Sequence, residues 1–396
     1  MITQAFKGYL VNYIKLSCFF WFSPVSWNTS LSKIEFIREK KRRNVFHVMR
    51  AILTLYILGM VWHALDGDSS TDLKLQAVAI IAFFVFILIL TWIWSMAVSP
   101  VQLFNSFSKF EDYLIKEYGH ITHWRRSLIT RNSTKGMLIF CQNLQASSVV
   151  CPFLNFALVL VHPCQPPFLG SMTPFCTSGV WSNSEIANYF RFPIALADLW
   201  FSFLCNAGGG AFIIMFFGVC VSSFLEYLDL IGKHLSRSPS PKLRLMSCVT
   251  LYRKIAIAEK ILNATFAAFV LPTILFSVVG IQIFSGFVSI SRDSLIPMPQ
   301  FLLFPLVWLN CTLFNMLVTT LSSYVYGNSN RIIGTLGELG CKLRFRIGRR
   351  LARRELRSCA PLKIKFGNNF ISGITPLVNQ DLALNQTVSL VLLRKS

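Results

Sequence analysis

The sequence has few charged residues for its length, and acidic residues are the scarcest. Only 14% of its 396 residues are charged, with 17 acidic against 38 basic side chains. Soluble domains usually carry about 25% charged residues. Hydrophobic residues make up 54% of the chain, and its mean hydropathy is +0.54. These values exclude one or two soluble domains of ordinary composition and favour a protein whose solvent is a lipid bilayer.

The sequence also lacks the residue patterns that mark enzymes and metal sites. Its eleven cysteines include no Cys-x-x-Cys pair, and its six histidines are isolated. No Ser/His/Asp arrangement, Gly-rich phosphate loop or paired carboxylate is visible, and the acids within apolar runs are limited to Asp198 and Asp381. We therefore predict no enzyme, no cofactor and no metal site, and we expect most cysteines to be free thiols.

Apolar runs of about 20 residues recur along the whole chain, and each can cross about 30 Å of hydrocarbon as a helix. We predict an all-α membrane protein with seven transmembrane helices at 46–65, 75–98, 136–161, 192–221, 264–288, 301–325 and 369–393. The third and seventh runs contain several amides. Their polar faces are therefore expected to contact protein or water and not lipid.

The basic residues are distributed unevenly between these predicted spans. Of the 38 Lys and Arg residues, 32 lie before the first span or in the second, fourth and sixth loops, and 5 lie in the other loops and the tail. Cytoplasmic loops retain Lys and Arg, so the N-terminus is predicted to be cytosolic and the C-terminus extracellular. A G-protein-coupled receptor has the opposite orientation. Because no soluble recognition domain carries the positive charge, no nucleic-acid partner is expected.

We divide the chain into four parts. Residues 1–45 are predicted to be a retained cytoplasmic segment, and residues 46–325 contain six spans. Residues 326–368 form a basic, helical cytoplasmic segment, and residues 369–396 form the seventh span with a short extracellular tail. Helical extensions of the spans are expected to build a cytoplasmic layer. Its Arg-rich part either lies near anionic headgroups or forms an inter-subunit or regulatory surface.

Candidate binding residues lie in the third loop and in the neighbouring outer halves of the helices. Cys164 and Cys176 lie in a predicted oxidising compartment, where they either form a disulfide or remain thiols. Asp198 is interpreted as a partner of Arg191 or a hydrated acid, with a ligand-orienting charge as the alternative. Nearby aromatic residues are either interface packing or the walls of an odorant- or tastant-sized pocket: Phe153, Phe156, Trp200 and Phe201.

The last span combines polar residues in its inner part with an aliphatic outer end. With Asp381 as the origin, helical spacing brings to one side Leu384, Asn385, Val388, Val391 and Leu392. This order suits a water-filled cation path that is closed by an apolar constriction. A helix buried at the centre of a monomeric bundle is the alternative that periodicity leaves open.

A basic stretch, the segment Ser358-Cys359-Ala360-Pro361-Leu362 and Gly367 precede this polar-interrupted helix. With these features, and with its length and seven predicted spans, the chain resembles the arthropod gustatory and odorant receptor superfamily. The gustatory branch often ends its last helix in Thr-Tyr, five apolar residues and Gln-Phe. Here Thr387 matches the Thr, whereas Val388, Arg394 and Lys395 replace the Tyr, Gln and Phe. The chain looks like a divergent member.

The resemblance implies a ligand-gated, non-selective cation channel in the plasma membrane, formed by four identical or related subunits around the last helix. Each subunit would bind a tastant or odorant in an outward-facing pocket among spans two to six. Carried over by position, Val391 falls at the gate and Gln386, Thr387 and Val388 lie just inside it. Four copies of Arg394 would repel cations unless their side chains reach lipid or bulk water. A small-solute transporter or another non-channel membrane protein is the alternative function.

Overall fold

A computed structural model of the chain describes residues 2–19, 23–66, 71–91, 100–118, 128–177, 180–206, 211–237, 241–290, 302–342 and 346–395. Helices dominate this part of the chain. They are α1 Ile2–Phe19, α2 Lys40–Asp66, α3 Thr71–Thr91, α4 Pro100–Tyr118, α5 Leu128–Val161, α6 Glu185–Cys205, α7 Ala211–Arg237, α8 Pro241–Phe266, α9 Val270–Ile290, α10 Leu303–Leu313, α11 Thr319–Cys341, α12 Arg346–Arg357 and α13 Thr375–Lys395. A π-helical turn, Phe314–Val318, joins α10 to α11.

Three antiparallel hairpins lie in the connections between helices. They pair β1 Val25–Asn28 with β2 Lys33–Phe36, β3 Cys176–Thr177 with β4 Val180–Trp181, and β5 Lys365–Phe366 with β6 Asn369–Phe370. The prediction of an all-α protein describes the helical bundle and does not include these hairpins. Strands of two to four residues are too short to show an alternating hydrophobic pattern in a sequence.

Four helices in the described part of the chain are long and apolar enough to cross a membrane: Lys40–Leu65, Arg131–Val161, Val270–Ile290 and Leu303–Cys341. A fifth apolar stretch, Ala77–Leu90, is shorter. The predicted fourth span corresponds to α6 and α7, between which residues 207–210 are not described. The predicted seventh corresponds to α13, whose amides and acid lower its hydropathy. The count of seven and the orientation of both termini stay predictions.

The N-terminal helix α1 packs beside the predicted spans. It contacts α5 and α7, and the Tyr13 hydroxyl donates a hydrogen bond to the backbone carbonyl of Asn206. The Gln142 side chain donates to the Tyr9 hydroxyl at 2.7 Å. Both partners lie within predicted spans, because Gln142 belongs to the third and Asn206 to the fourth. The segment 1–45 therefore includes a helix that packs against helices predicted to span the membrane, and its assignment to the cytosol stays a prediction.

Several helices continue beyond the predicted spans and pack together into one layer. The helix α7 ends at Arg237 and α11 ends at Cys341, and both pack with α8. The amphipathic helix α4 also lies against α8, and α12 lies against α8 and α11. This arrangement has the form of the predicted cytoplasmic layer. It provides a folded support immediately before α13.

Asn263, near the end of α8, ties this layer to the chain that enters α13. Its Nδ2 donates to the carbonyl of Lys363 at 2.8 Å, and its Oδ1 accepts from the backbone N–H of Lys365 at 2.9 Å. The N–H of Gly367 donates to the carbonyl of Ala267 at 2.6 Å. Gly367 has a φ of +55°, a conformation that other residues rarely adopt. The β5–β6 hairpin is thereby fixed to the junction of α8 and α9.

The third loop folds tightly against α2 and α6. The structure joins Cys164 and Cys176 in a disulfide. Phe168 lies between the two cysteines in the sequence, and its side chain is buried. A single 3-10 turn, Leu169–Met172, follows it. Gly170 approaches the backbone oxygen of Pro163 so closely that a Cβ atom at this position would collide with it. The loop is thus a packed cap and not a loose connection.

Replacing Gly170 with alanine should therefore destabilise the protein. The obstructing atom belongs to the backbone, so it cannot turn aside as a side chain can, and we expect a cost of about 1–3 kcal/mol. The measurement is the Tm of the detergent-solubilised protein. Gly373→Ala is the matched control, because no atom lies within 4 Å of a Cβ placed there. Equal Tm values for the two variants would contradict the packing described for the loop.

Candidate functional site

A cavity lies at the middle of the bundle among α3, α5, α9 and α10. Its volume is about 80 Å³. The walls are mostly aromatic and aliphatic and include Phe83, Phe86, Phe140, Ile281 and Phe314. A cavity of about 150 Å³ with such walls can stay dry and bind benzene. This cavity is about half that size, so a ligand as large as benzene already requires some of these side chains to move.

Polar groups occupy one side of this cavity and are hydrogen-bonded to each other. Asn310 of α10 accepts a bond from the side chain of Asn143 at 2.5 Å and donates one to the Ser147 hydroxyl at 2.8 Å. Ser147 in turn donates to the backbone carbonyl of Asn143 at 2.8 Å. This ring joins α5 to α10. Since the polar groups that line the cavity are amides and hydroxyls and none is charged, the cavity suits a neutral molecule.

The aromatic residues predicted as pocket walls do not line this cavity. Phe153 and Phe156 of α5 make edge contacts with Phe203 and Phe192 of α6. The cavity-lining positions of α5 are 140, 144, 147, 148 and 151, which lie on another face of that helix. Both phenylalanines therefore pack between α5 and α6. Helix packing was the other interpretation of these residues.

Trp200 and Phe201 also belong to helix packing. Phe201 of α6 stacks on Tyr56 of α2, with ring centroids 4.2 Å apart, and Trp200 makes an edge contact with Phe201. Aromatic pairs in this range contribute about 0.5–1.5 kcal/mol beyond the burial of their area. The pair therefore fastens α6 to α2.

Asp198 is buried, with 1% of its surface exposed, and joins three parts of the chain. It accepts a hydrogen bond from the Tyr56 hydroxyl at 2.7 Å and others from the backbone N–H of Leu169 at 3.2 and 3.3 Å. Leu169 belongs to the third loop, so the carboxyl group holds that loop against α2 and α6. The structure places Asp198 outside the cavity walls. Its role as a ligand-orienting charge is therefore not supported.

The predicted pairing of Asp198 with Arg191 is wrong. Arg191 donates instead to the backbone carbonyls of Leu160 and Val161, at the end of α5. The two residues are separated by seven positions, or about 10 Å along a helix, which places them two turns apart. The pair was predicted from the opposite charges alone. The side chain that bonds Asp198 is Tyr56, which is distant in the sequence but adjacent in the fold.

The last helix, α13, has one buried face and one exposed face. Its buried side follows Pro376, Ala383 and Thr387, and it rests mainly on α9. The Thr387 hydroxyl donates to the carbonyl of Ala383 at 2.7 Å and lies 3.4 Å from the carbonyl of Ile283. The exposed face carries residues with a spacing of three or four: Asp381, Leu384, Asn385, Val388 and Leu392.

This geometry separates the predicted pore residues into two groups. Val388 and Leu392 are 53% and 61% exposed, whereas Thr387 is 5% exposed and Val391 packs against the hydrophobic core. Val391, which the resemblance places at a gate, thus points toward the bundle. Gln386 is exposed on the flank of the helix. Arg394 lies in the final turn of α13, and its side chain lies outside the described ones.

An amide cluster that sequence reasoning missed connects α13 to the cavity walls. Gln282 of α9 donates to the Thr312 hydroxyl at 3.1 Å and to Oε1 of Gln380 at 2.9 Å. It accepts from Nδ2 of Asn315 at 2.6 Å. A lone amide in an otherwise apolar span was the signal that could have identified Gln282.

No protein-family model and no curated protein sequence matches this chain. Solved structures do: the insect olfactory receptor OR5 from Machilis hrabei aligns with 98% of this chain and 99% of its own, with a TM-score of 0.64 and 12% identity. The chain has the fold of an insect olfactory receptor. The same receptor in complex with eugenol aligns over 99% of this chain and 100% of its own, with a TM-score of 0.65 and 12% identity. The resemblance inferred from the last span is thus confirmed at the level of the fold.

The hydrogen bond between Tyr56 and Asp198 predicts energetic coupling between these residues. In a double-mutant cycle of Tyr56→Phe and Asp198→Ala, the two losses of stability should be non-additive by about 1 kcal/mol or more. The cycle is measured from shifts in Tm of the solubilised protein. The matched cycle of Arg191→Ala with Asp198→Ala should be additive to within about 0.5 kcal/mol. Coupling to Arg191 and none to Tyr56 would contradict the geometry.

Proposed function

We propose that this chain is a subunit of a chemosensory receptor that acts as a ligand-gated, non-selective cation channel. The exposed face of α13 carries this proposal. A carboxyl group and an amide, at Asp381 and Asn385, are costly to expose to hydrocarbon. They are stable where the face lines a water-filled path, and Val388 and Leu392 beyond them supply an apolar constriction. The full-length likeness in fold to an olfactory receptor supports this assignment.

Completing such a path requires other copies of α13, because one chain presents only one face. We assign four subunits, identical or related, arranged around α13 in the plasma membrane. Seven spans with a cytosolic N-terminus and an extracellular C-terminus would place Asp381 toward the cytosol and Leu392 toward the outside. Val388 and Leu392 replace Val391 as the residues that close the path. Val388 lies seven residues above Asp381, or about 10 Å.

The cavity among α3, α5, α9 and α10 is the ligand site in this proposal. Its aromatic walls favour an apolar or aromatic molecule, and the Asn310 side offers hydrogen bonds to one polar group. A small neutral odorant or tastant satisfies both features, and a charged amine or acid does not. Eugenol, which occupies the similar receptor, has this chemistry and is a suitable first probe.

Cysteine scanning of α13 tests the pore. Cysteines at 381, 385, 388 and 392 should react with a charged, water-soluble thiol reagent and change the current. Cysteines at Ala383, Thr387 and Val391 on the buried face are the matched controls and should react much more slowly. The readout is the rate at which the reagent alters ligand-evoked current in cells. Faster reaction on the 383–387–391 face would contradict this orientation of the helix.

Filling the cavity tests the ligand site. Val307→Phe places an aromatic ring in the space between α10 and its neighbours, so we expect the EC50 for eugenol or a similar neutral ligand to rise at least about tenfold. Val150→Phe on the exposed side of α5 is the matched control and should leave the EC50 unchanged. The EC50 is measured from current in cells with equal surface expression. An unchanged EC50 in Val307→Phe would move the ligand site elsewhere.

A further inference from the structure

Three residues that line the cavity each directly precede a member of the amide cluster. Ile281 precedes Gln282 on α9, Cys311 precedes Thr312 on α10, and Phe314 precedes Asn315 in the π-helical turn. Neighbouring residues on a helix move together because the backbone between them is rigid. Displacement of a cavity wall by a ligand therefore displaces the amide cluster as well.

We propose that Gln282 is the positioning residue that couples the ligand cavity to α13. This inference rests on the proposed function. Gln282 is 1% exposed and uses both its donor group and its acceptor oxygen on partners from three segments. Hydrogen bonds in such a dry environment are costly to break. A shift of the α10 side of the cluster is thus transmitted to Gln380 on α13.

The cluster also has unused hydrogen-bonding capacity. Within the described part of the chain, the buried Oδ1 of Asn315 and the buried Nε2 of Gln380 have no hydrogen-bond partner. One is an acceptor and the other a donor, and both flank Gln282. Buried polar groups are rarely left unpaired, so an unpaired donor and an unpaired acceptor on two residues that both bond Gln282 favour a second arrangement of the cluster in which these groups are paired. Transmission between sites requires such an element with two discrete states.

The π-helical turn positions two of the parts involved. Phe314, which lines the cavity, and Asn315, which belongs to the cluster, are consecutive residues at the start of this turn. Short π-helical segments within α-helices occur frequently at functional sites. Conversion of this turn to α-helix would rotate Phe314 and Asn315 together. Such a rotation would carry a ligand-induced change directly to Gln282.

The test removes the hydrogen bonds while keeping the length of the side chains. In Gln282→Met and Gln380→Met, the ratio of ligand-evoked to basal current should fall about tenfold, which equals about 1.4 kcal/mol of coupling. Ligand binding, followed as the rise in Tm that eugenol produces, should stay as in the wild type. The double variant should fall no further than either single one. Gln102→Met, an exposed amide on α4, is the matched control and should change neither quantity.

Two results would overturn the coupling role: a ratio within twofold of the wild type in both single variants, or effects that multiply in the double variant. If Gln282→Met does not reach the cell surface, Gln380→Met, whose side chain is only partly buried, decides the question alone.

The coupling has a second readout that does not require current. A wild type that reaches the surface and passes no current contradicts the proposed channel. The change that eugenol produces in the thiol reactivity of Asn385→Cys then still reports transmission to α13. Loss of that change in Gln282→Met supports the coupling, and its persistence overturns it.

Discussion

In the proposed channel α13 crosses a bilayer, which offers no hydrogen-bond partners, so the polar side chains of this helix are stable only beside protein or water. The helix meets this constraint differently on its two sides. Gln380 and Thr387 turn toward α9, where Gln282 and a backbone carbonyl receive them. Asp381 and Asn385 turn away from the bundle and are exposed. In the proposed assembly, water in a space completed by other subunits satisfies that second side. In this proposal, the division of α13 into two faces links the packing of one chain to its function as part of an assembly.

The position of α13 is set from outside the spans as well as within them. Asn263 and the backbone of Ala267 hold the β5–β6 hairpin to the end of α8, immediately before α13 begins. The two side-chain bonds of Asn263 fix the backbone carbonyl of Lys363 and the backbone N–H of Lys365, in the segment that leads into α13. Because α8 is part of the helical layer, the start of α13 is fixed to that layer. Along its length, α13 packs through one face, mainly against α9.

The parts of the fold that depend on the hydrophobicity and length of segments could be predicted from the sequence. Runs of apolar residues predicted the helices around residues 46–65, 136–161, 264–288 and 301–325, and the mixture of polar and aliphatic residues singled out the last helix. Periodicity gives the angles between side chains on one helix. It does not give the direction in which the neighbouring helix lies, so Val391 and Val388 could not be distinguished until α9 was in place.

Contacts between segments that are distant in the sequence could not be predicted from it. Tyr56 and Asp198 are 142 positions apart, and the pairing depends on how α2, α6 and the third loop meet. The cavity likewise is lined by residues from helices that are far apart in the sequence, so no local motif marks its walls. The short hairpins and the burial of α1 were missed because each depends on a surface that the rest of the chain supplies. A single amide in an apolar helix, such as Gln282, was the one local sign of these contacts.

The reversal potential of ligand-evoked current, in the wild type and in Asp381→Lys, tests most directly whether the exposed face of α13 lines a cation path. With sodium chloride outside and the potassium salt of an impermeant anion inside, the wild-type current of the proposed channel should reverse close to zero, because the proposed channel does not distinguish the two cations. Four lysines in place of four carboxyl groups should suppress the inward cation current and shift the reversal potential toward that of the permeant anion. A surface-expressed wild type without current, or a variant whose current and reversal potential equal those of the wild type, would contradict the account.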